Sequence, residues 1–271
     1  MPDTHDTPMI QGSHYRIPVL WQDGRLVVVD KPAGMIVHPN QYDRHAPNCV
    51  NTLSGLLHRK VQVVHRLDRG TSGIMLFALD KETAGLISAL LRESEITKEY
   101  LAIVRGHAPD EGLIERSLVR GEGHEPSASF TRYQTLSRSV VSIPVGDYEE
   151  SWFSLLRVTL LTGRRHQARR HLQSIAHPVI GDTRHGDRSY NQVVSGMPGC
   201  GRMYLRAFRL EFTLPYSGSV LTVRAGLPDA WIRTCTELGL DLPEVATQAE
   251  VMRDGQLLYR ADAPPHVCPP V

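Results

Sequence analysis

Residues 65–73, His65-Arg66-Leu67-Asp68-Arg69-Gly70-Thr71-Ser72-Gly73, set an aspartate between two arginines in a stretch otherwise built to be buried. Val61-Gln62-Val63-Val64 precedes it and Ile74-Met75-Leu76-Phe77-Ala78-Leu79 follows it. Both runs are short and rich in β-branched or aromatic residues, so both read as buried strands. The charged segment is thus caught where two strands of a sheet are joined, with Gly70 and Gly73 to bend the backbone. A carboxylate in such a place needs a partner or a role. Two readings stand at this point: an ion-pair network that fastens a turn, or a reactive site.

Composition narrows the class. With 271 residues the chain can bury a sizeable core, as one large domain or two small ones. No run approaches a membrane span and no charged-then-apolar leader opens the chain, so a soluble, cytoplasmic protein without a membrane partner is expected. Cys49, Cys200, Cys235 and Cys268 are scattered, which favours free thiols over a disulfide frame or a zinc site. The net charge of +1 does not by itself announce a polyanionic partner. Its distribution says more. Arg157, Arg164, Arg165, Arg169, Arg170, Arg184 and Arg188 face only Asp182 and Asp187 between residues 157 and 190. All these bases are arginine, the better fork for phosphate, so the stripe reads either as a solvated face or as an RNA contact.

The pattern along the chain is one of many strands and few helices. Strands are expected at 26–29, 100–104, 130–136 and 153–161, with a hairpin of 210–214 and 220–224 around Pro215-Tyr216-Ser217-Gly218. Asp80 is a fitting N-cap for a helix over 81–92, whose Ala84, Ile87, Leu90 and Leu91 share a face. Further helices are expected at 50–58 and at 165–175, the latter through the spacing of Ala168, Leu172 and Ile175. Strands that do not alternate regularly with helices argue for an α+β domain with a mainly antiparallel sheet. Residues 1–16 read as a flexible tail, 17–245 as the folded domain, and 246–271, with its Pro264-Pro265 and Pro269-Pro270 pairs, as a poorly packed tail.

The nine residues at 65–73 resemble the signature of pseudouridine synthases of the RluA type, His-Arg-Leu-Asp-x-x-Thr-Ser-Gly. The likeness continues in the family's order. Trp21 to Pro39, with Asp30-Lys31-Pro32-Ala33-Gly34, resembles its first motif, and Lys98-Glu99-Tyr100 its Lys-x-Tyr element. Thr162-Gly163-Arg164-Arg165-His166-Gln167-Ala168-Arg169-Arg170-His171-Leu172 resembles its Thr-Gly-Arg-x-His-Gln-(Ile/Leu)-Arg-x-His-Leu, and His177-Pro178-Val179-Ile180-Gly181-Asp182 follows in place. Residues 17–232 are covered. Gly181 to Asp187 and Ala225 to Trp231 extend the likeness toward tRNA-modifying members.

The resemblance implies a pseudouridine synthase fold, a central, mainly antiparallel mixed sheet with flanking helices and a cleft for RNA. It implies that Asp68 is the essential carboxylate, that Arg169 pairs with it and that Tyr100 lies over the uracil face. Arg66 resembles the residue that fills the gap left by a flipped base, and Leu205 a wall of the pocket. His65, Arg164, Arg165, Arg170, Arg184 and Arg188 are expected on the RNA. The isomerisation oxidises nothing and releases no group, so no cofactor is expected, and the chain is read as a monomer. A tRNA uridine near the junction of acceptor stem and T arm is the expected substrate. A ribosomal RNA site, and a catalytically silent RNA-binding protein, are the alternatives. There is no room before residue 17 for a small basic RNA-binding domain, so recognition is expected beside the site.

Two departures stand out. Ala168 replaces the family's Ile or Leu, and Arg206 stands where His is common; both are expected to tune specificity, Arg206 by adding charge near the RNA. No metal is expected: His166 and His171 are five apart and miss the helical i, i+4 spacing, and no Cys is close. Gly196 to Gly201 lacks the Lys-Ser/Thr of a phosphate loop and reads as a flexible loop.

Overall fold

The apolar runs on either side of Asp68 and Asp30 meet as neighbouring strands. In a computed structural model that describes residues 16–39, 46–121, 123–196 and 202–262, β2 (Leu26–Lys31) pairs antiparallel with β4 (Ser72–Ala78), from Leu26↔Ala78 to Lys31↔Gly73. Every residue of both strands is buried, which is why neither shows a polar alternation. β1 (Val19–Gln22) flanks β2, and the run at 61–64 yields only the two-residue β3 (Gln62–Val63) beside β4. The sheet continues through β5 (Thr97–Arg105), β6 (Glu111–Glu115), β7 (Phe130–Val141), β8 (Ser151–Leu160), β9 (Leu205–Thr213) and β10 (Val220–Arg224). Its order is β1-β2-β4-β9-β5-β8-β7-β6, with β10 also on β9. Among the described strands only β4 and β9 pair in parallel, through Ser72↔Arg206 and Gly73↔Ala207. The sheet is therefore mixed and mainly antiparallel, as expected.

Gly73 makes that parallel contact possible. Its φ is +109°, and a β-carbon there would lie 2.1 Å from the Ala207 carbonyl oxygen. No other residue fits.

Helices cover both faces. α1 (Cys49–Leu56), α2 (Lys81–Arg92) and α3 (Gln167–Ser174) add Leu53, Ile87, Ala168 and Leu172 to one apolar cluster, which also holds Tyr100, Ala102, Leu205 and Ala207. α4 (Arg188–Ser195) and α5 (Asp229–Glu237) add Tyr190, Val194, Trp231 and Cys235 to the other, with Leu101, Ile103, Tyr204 and Phe208. Successive strand residues thus divide between the two faces, as the pleat requires. The Asp80 side chain caps α2 by accepting from Thr83 N at 2.7 Å, so the expected bounds of 81–92 hold.

One boundary needs correction. The folded part was expected to end at residue 245, but β11 (Gln248–Arg253) pairs with β10, and β12 (Gln256–Asp262) pairs with β11. The packing is real: Ala249 and Val251 are buried on β11. The proline pairs that suggested a loose end lie beyond it, at 264–265 and 269–270, outside the described residues. Residues 1–15 and 197–201, with Cys200 and Cys268, also lie outside them.

Candidate active site

Asp68 sits on the loop that leads into β4, with its side chain 22 % exposed. The loop is fastened by main-chain bonds. Thr71 N donates to Asp68 O at 3.1 Å, and Gly34 N donates to Arg69 O at 2.7 Å. Lys31, fully buried at the end of β2, ties the same two loops: its Nζ donates to the carbonyls of Met35 at 2.8 Å, Pro32 at 2.9 Å and Arg69 at 3.3 Å. Burial pulls the Lys31 pKa down to about 8, against the pull of Cys49, Asp68 and Asp30. The sequence motif contained Lys31, but nothing in its spacing revealed that it braces the Asp68 loop.

Arg169 reaches the loop from α3. Its Nη1 donates to Asp68 Oδ2 at 2.8 Å, the pairing expected from the resemblance. The same guanidinium forks onto Asp182, with Nε to Oδ2 at 2.6 Å and Nη2 to Oδ1 at 2.8 Å. The Asp182 side chain is fully enclosed. Burial opposes both charges. The bonds to Asp182 and Asp68 still raise the Arg169 pKa, and the bonds from Arg169 and the His185 and Arg184 amides hold Asp182 below its ordinary value. In the sequence Asp182 stands as a negative charge within the arginine stripe and as the last residue of the His177–Asp182 run, and neither pattern displays its role as the anchor of Arg169.

α3 begins in an unusual way that sets these directions. Gln167 folds its side chain back, and Oε1 accepts from Arg164 N at 2.9 Å and from Thr162 Oγ1 at 2.8 Å. His166 then takes a left-handed conformation, φ 54° and ψ 29°, and the helix starts at Gln167 rather than at 165. Arg164 and Arg165 are left exposed, while Arg169 turns inward.

Tyr100 is buried on β5, in register with Val158 of β8 and Ala207 of β9. Burial, and secondarily the charge of Asp68, push its phenol pKa well above the ordinary value, so it stays protonated. Leu205, buried at the start of β9, pairs with Ala102 on the same face of the sheet. Arg66, Arg184 and Arg188 are exposed.

One expectation changes, and two residues expected on the RNA also have partners within the protein. Arg206 does not add charge near RNA. It follows Leu205 in a strand, so it points to the opposite face, where it is fully buried and forks onto Asp30 at 3.0 and 2.7 Å. His65 Nε2 accepts from Leu76 N at 2.9 Å, and burial lowers its pKa to about 4. Arg170 turns to the Val119 carbonyl at 2.9 Å and lines a cavity of about 400 Å³ with Arg116, Leu118, Gln173 and Ser174. The histidines of this segment take separate partners. His171 Nε2 lies 3.0 Å from Ser129 Oγ, His177 bonds the Arg105 carbonyl, and only His166 and His185 meet.

The family model described as RNA pseudouridylate synthase matches residues 25–174, which span Asp68, Tyr100 and Arg169. The chain belongs to this family. It is 36 % identical over 234 residues to the tRNA pseudouridine synthase C of Salmonella typhimurium, covering 82 % of this chain and 90 % of that one. Against the protein of the same name from Pasteurella multocida it is 36 % identical over 240 residues, 84 % and 99 % of the two chains. The solved structure of human RNA pseudouridylate synthase domain containing 4 superposes with a TM-score of 0.64 at 25 % identity, covering 83 % of this chain and 94 % of that one. As a pseudouridine synthase the protein is an isomerase acting on RNA, and its fold is that of its family.

Proposed function

We propose that the protein isomerises a tRNA uridine near the junction of the acceptor stem and the T arm, with Asp68 as the catalytic carboxylate. The observation that carries the tRNA reading is the extent of the likeness. Relatives called tRNA pseudouridine synthase C match at 36 % identity across 82 % of the chain, well beyond the segment around the catalytic motifs.

The reaction breaks the bond from N1 of uracil to the sugar, turns the base and joins the sugar to C5; C5 gives up a proton and N1 gains one. An ionised carboxylate can act in it as nucleophile or as base. Arg169 orients Asp68 through a charge-assisted bond. Tyr100 and Leu205 bound the space for the uracil, and Tyr100 is a proton carrier held neutral beside Asp68. A stem uridine must leave its stack, at a cost of a few kcal/mol. Exposed Arg66, two residues before Asp68, fills the vacated place. Arg164, Arg165, Arg184 and Arg188 follow the phosphates of a short duplex, since A-form RNA is read mainly through its backbone and shape.

The test is to map pseudouridine in bulk tRNA and ribosomal RNA from a strain lacking the gene. Loss at one tRNA position is expected, restored by the intact gene and not by Asp68→Asn. Loss in ribosomal RNA with intact tRNA would overturn the substrate; full restoration by Asp68→Asn would overturn the catalytic assignment.

A further inference from the structure

Asp68 has a second oxygen that Arg169 leaves free, and a pair of imidazoles faces it. His166 Nε2 lies 3.7 Å from Asp68 Oδ1. On its far side, His166 Nδ1 lies 2.9 Å from His185 Nε2, and the two rings meet edge to face with centroids 5.2 Å apart. Both ends of this chain are pinned. His166 holds a left-handed backbone, which costs a residue with a β-carbon and persists where the surroundings enforce it. The His185 amide donates to Asp182 Oδ1 at 3.0 Å, so the carboxylate that fixes Arg169 also fixes His185.

We propose that His166 is a positioning residue for Asp68, and that His185 sets the His166 tautomer so that an N–H faces Asp68 Oδ1. The inference rests on the reading of Asp68 as the catalytic carboxylate. The tautomer follows from counting protons. Between two neutral imidazoles one hydrogen lies in the Nδ1–Nε2 contact. If it sits on His185, His166 accepts there and carries its own hydrogen on Nε2, toward Asp68. The reverse arrangement would aim a nitrogen lone pair at a carboxylate oxygen. The gap of 3.7 Å is longer than a hydrogen bond. Such contacts commonly run long in free enzymes and tighten when substrate fills the site. With Arg169 on one oxygen and His166 on the other, the plane of the carboxylate is fixed.

The surroundings keep the pair neutral. Burial lowers the His166 pKa to about 4; Arg169, His185 and Arg165 act in the same direction, and Asp68 opposes them. His185 is lowered by burial and by Arg169, Arg184 and Arg170, against Asp182. Protonation of His166 would set a cation against Asp68 and hold the carboxylate away from the uracil. Activity should therefore fall in acid as His166 titrates. Because His185 helps to depress the His166 pKa, removing it should move that fall to higher pH.

The test compares His166→Ala, His166→Gln and His185→Phe with the wild type and Asp68→Asn. Pseudouridine formation is followed against pH on bulk tRNA from the strain lacking the gene. His166→Ala should lose about 10- to 100-fold in kcat, the usual effect of removing a group that orients a reactive one, with KM little changed. His166→Gln, whose Nε2 can reach the place of the ring nitrogen, should recover much of that loss and lack the histidine titration. His185→Phe keeps the edge-to-face ring and should shift the acid limb upward. Equal loss in Ala and Gln, or wild-type kcat in both, or an unmoved limb in His185→Phe, would overturn the proposal. An active Asp68→Asn would instead remove its premise, the catalytic role of Asp68.

Discussion

Arg169 gives Asp182 two of its nitrogens, at 2.6 and 2.8 Å, and Asp68 only one, at 2.8 Å. The exposures agree with this ranking: the Asp182 side chain is 0 % exposed and that of Asp68 is 22 %. The buried partnership is therefore Arg169–Asp182, and the bond to Asp68 is its functional extension.

Arg169→Ala should consequently cost stability as well as activity. It strands Asp182 in the interior without its counter-ion, a loss of ~3–5 kcal/mol for a broken buried pair. Arg169→Lys should not rescue, because an ammonium cannot span a two-point fork and a third contact. Urea unfolding and pseudouridine yield measure the two effects. A Lys variant that keeps both would show that the fork is dispensable.

The same pair predicts an acid dependence. Asp182 is held below the ordinary carboxylate pKa of about 3.9, with burial opposing and the bonds from Arg169, His185 and Arg184 prevailing. A depressed folded pKa means that this stabilisation is present above about pH 4 and is lost as pH falls through the folded value. Asp182→Asn should flatten the wild-type loss of stability below about pH 4. Urea midpoints measured through the acid range check it, and parallel curves for the two proteins would contradict it.

How much of this could be read beforehand differs by residue. Helix α2 was legible because its signals are local: a capping Asp80 and an apolar face repeating every three or four residues. The Asp68–Arg169 pair joins residues 101 apart and was reachable only through the family likeness. Asp182 and Lys31 escaped because what they do depends on burial, which a motif does not display. Arg206 departs from its expected place because a neighbour of Leu205 in a strand points to the opposite face. The β11–β12 hairpin did carry a signal, Asp254-Gly255 between two strand-like segments, that the later proline pairs obscured.

The Arg206–Asp30 pair, both side chains 0 % exposed, gives a further prediction. Arg206→Met alone or Asp30→Leu alone should cost ~3–5 kcal/mol, whereas the double variant should come close to the wild type, since an apolar pair can replace a buried ion pair. The Gly226 carbonyl, which accepts from Arg206 at 2.5 Å, sets a residual cost in the double variant. Unfolding free energies from the four proteins decide it. Additive losses would mean that the two charges do not act as a unit.

The last prediction separates arginines that hold RNA from arginines that hold the protein. Arg164 and Arg188 are exposed, one before and one after Arg169 in the chain. If each neutralises one phosphate, Arg164→Ala or Arg188→Ala should weaken tRNA binding and reduce the slope of log affinity against log salt by about one charge. Folding stability should hardly change, because an exposed charge contributes little. Arg206 lies on the other face of the sheet, so a folded Arg206 variant should keep the wild-type slope. Arg170 is spent on the Val119 carbonyl and should fall between these limits. Binding of bulk tRNA titrated over a range of salt concentrations measures all four. A slope that drops for Arg206 and not for Arg164 or Arg188 would place the RNA on the opposite face from the one proposed.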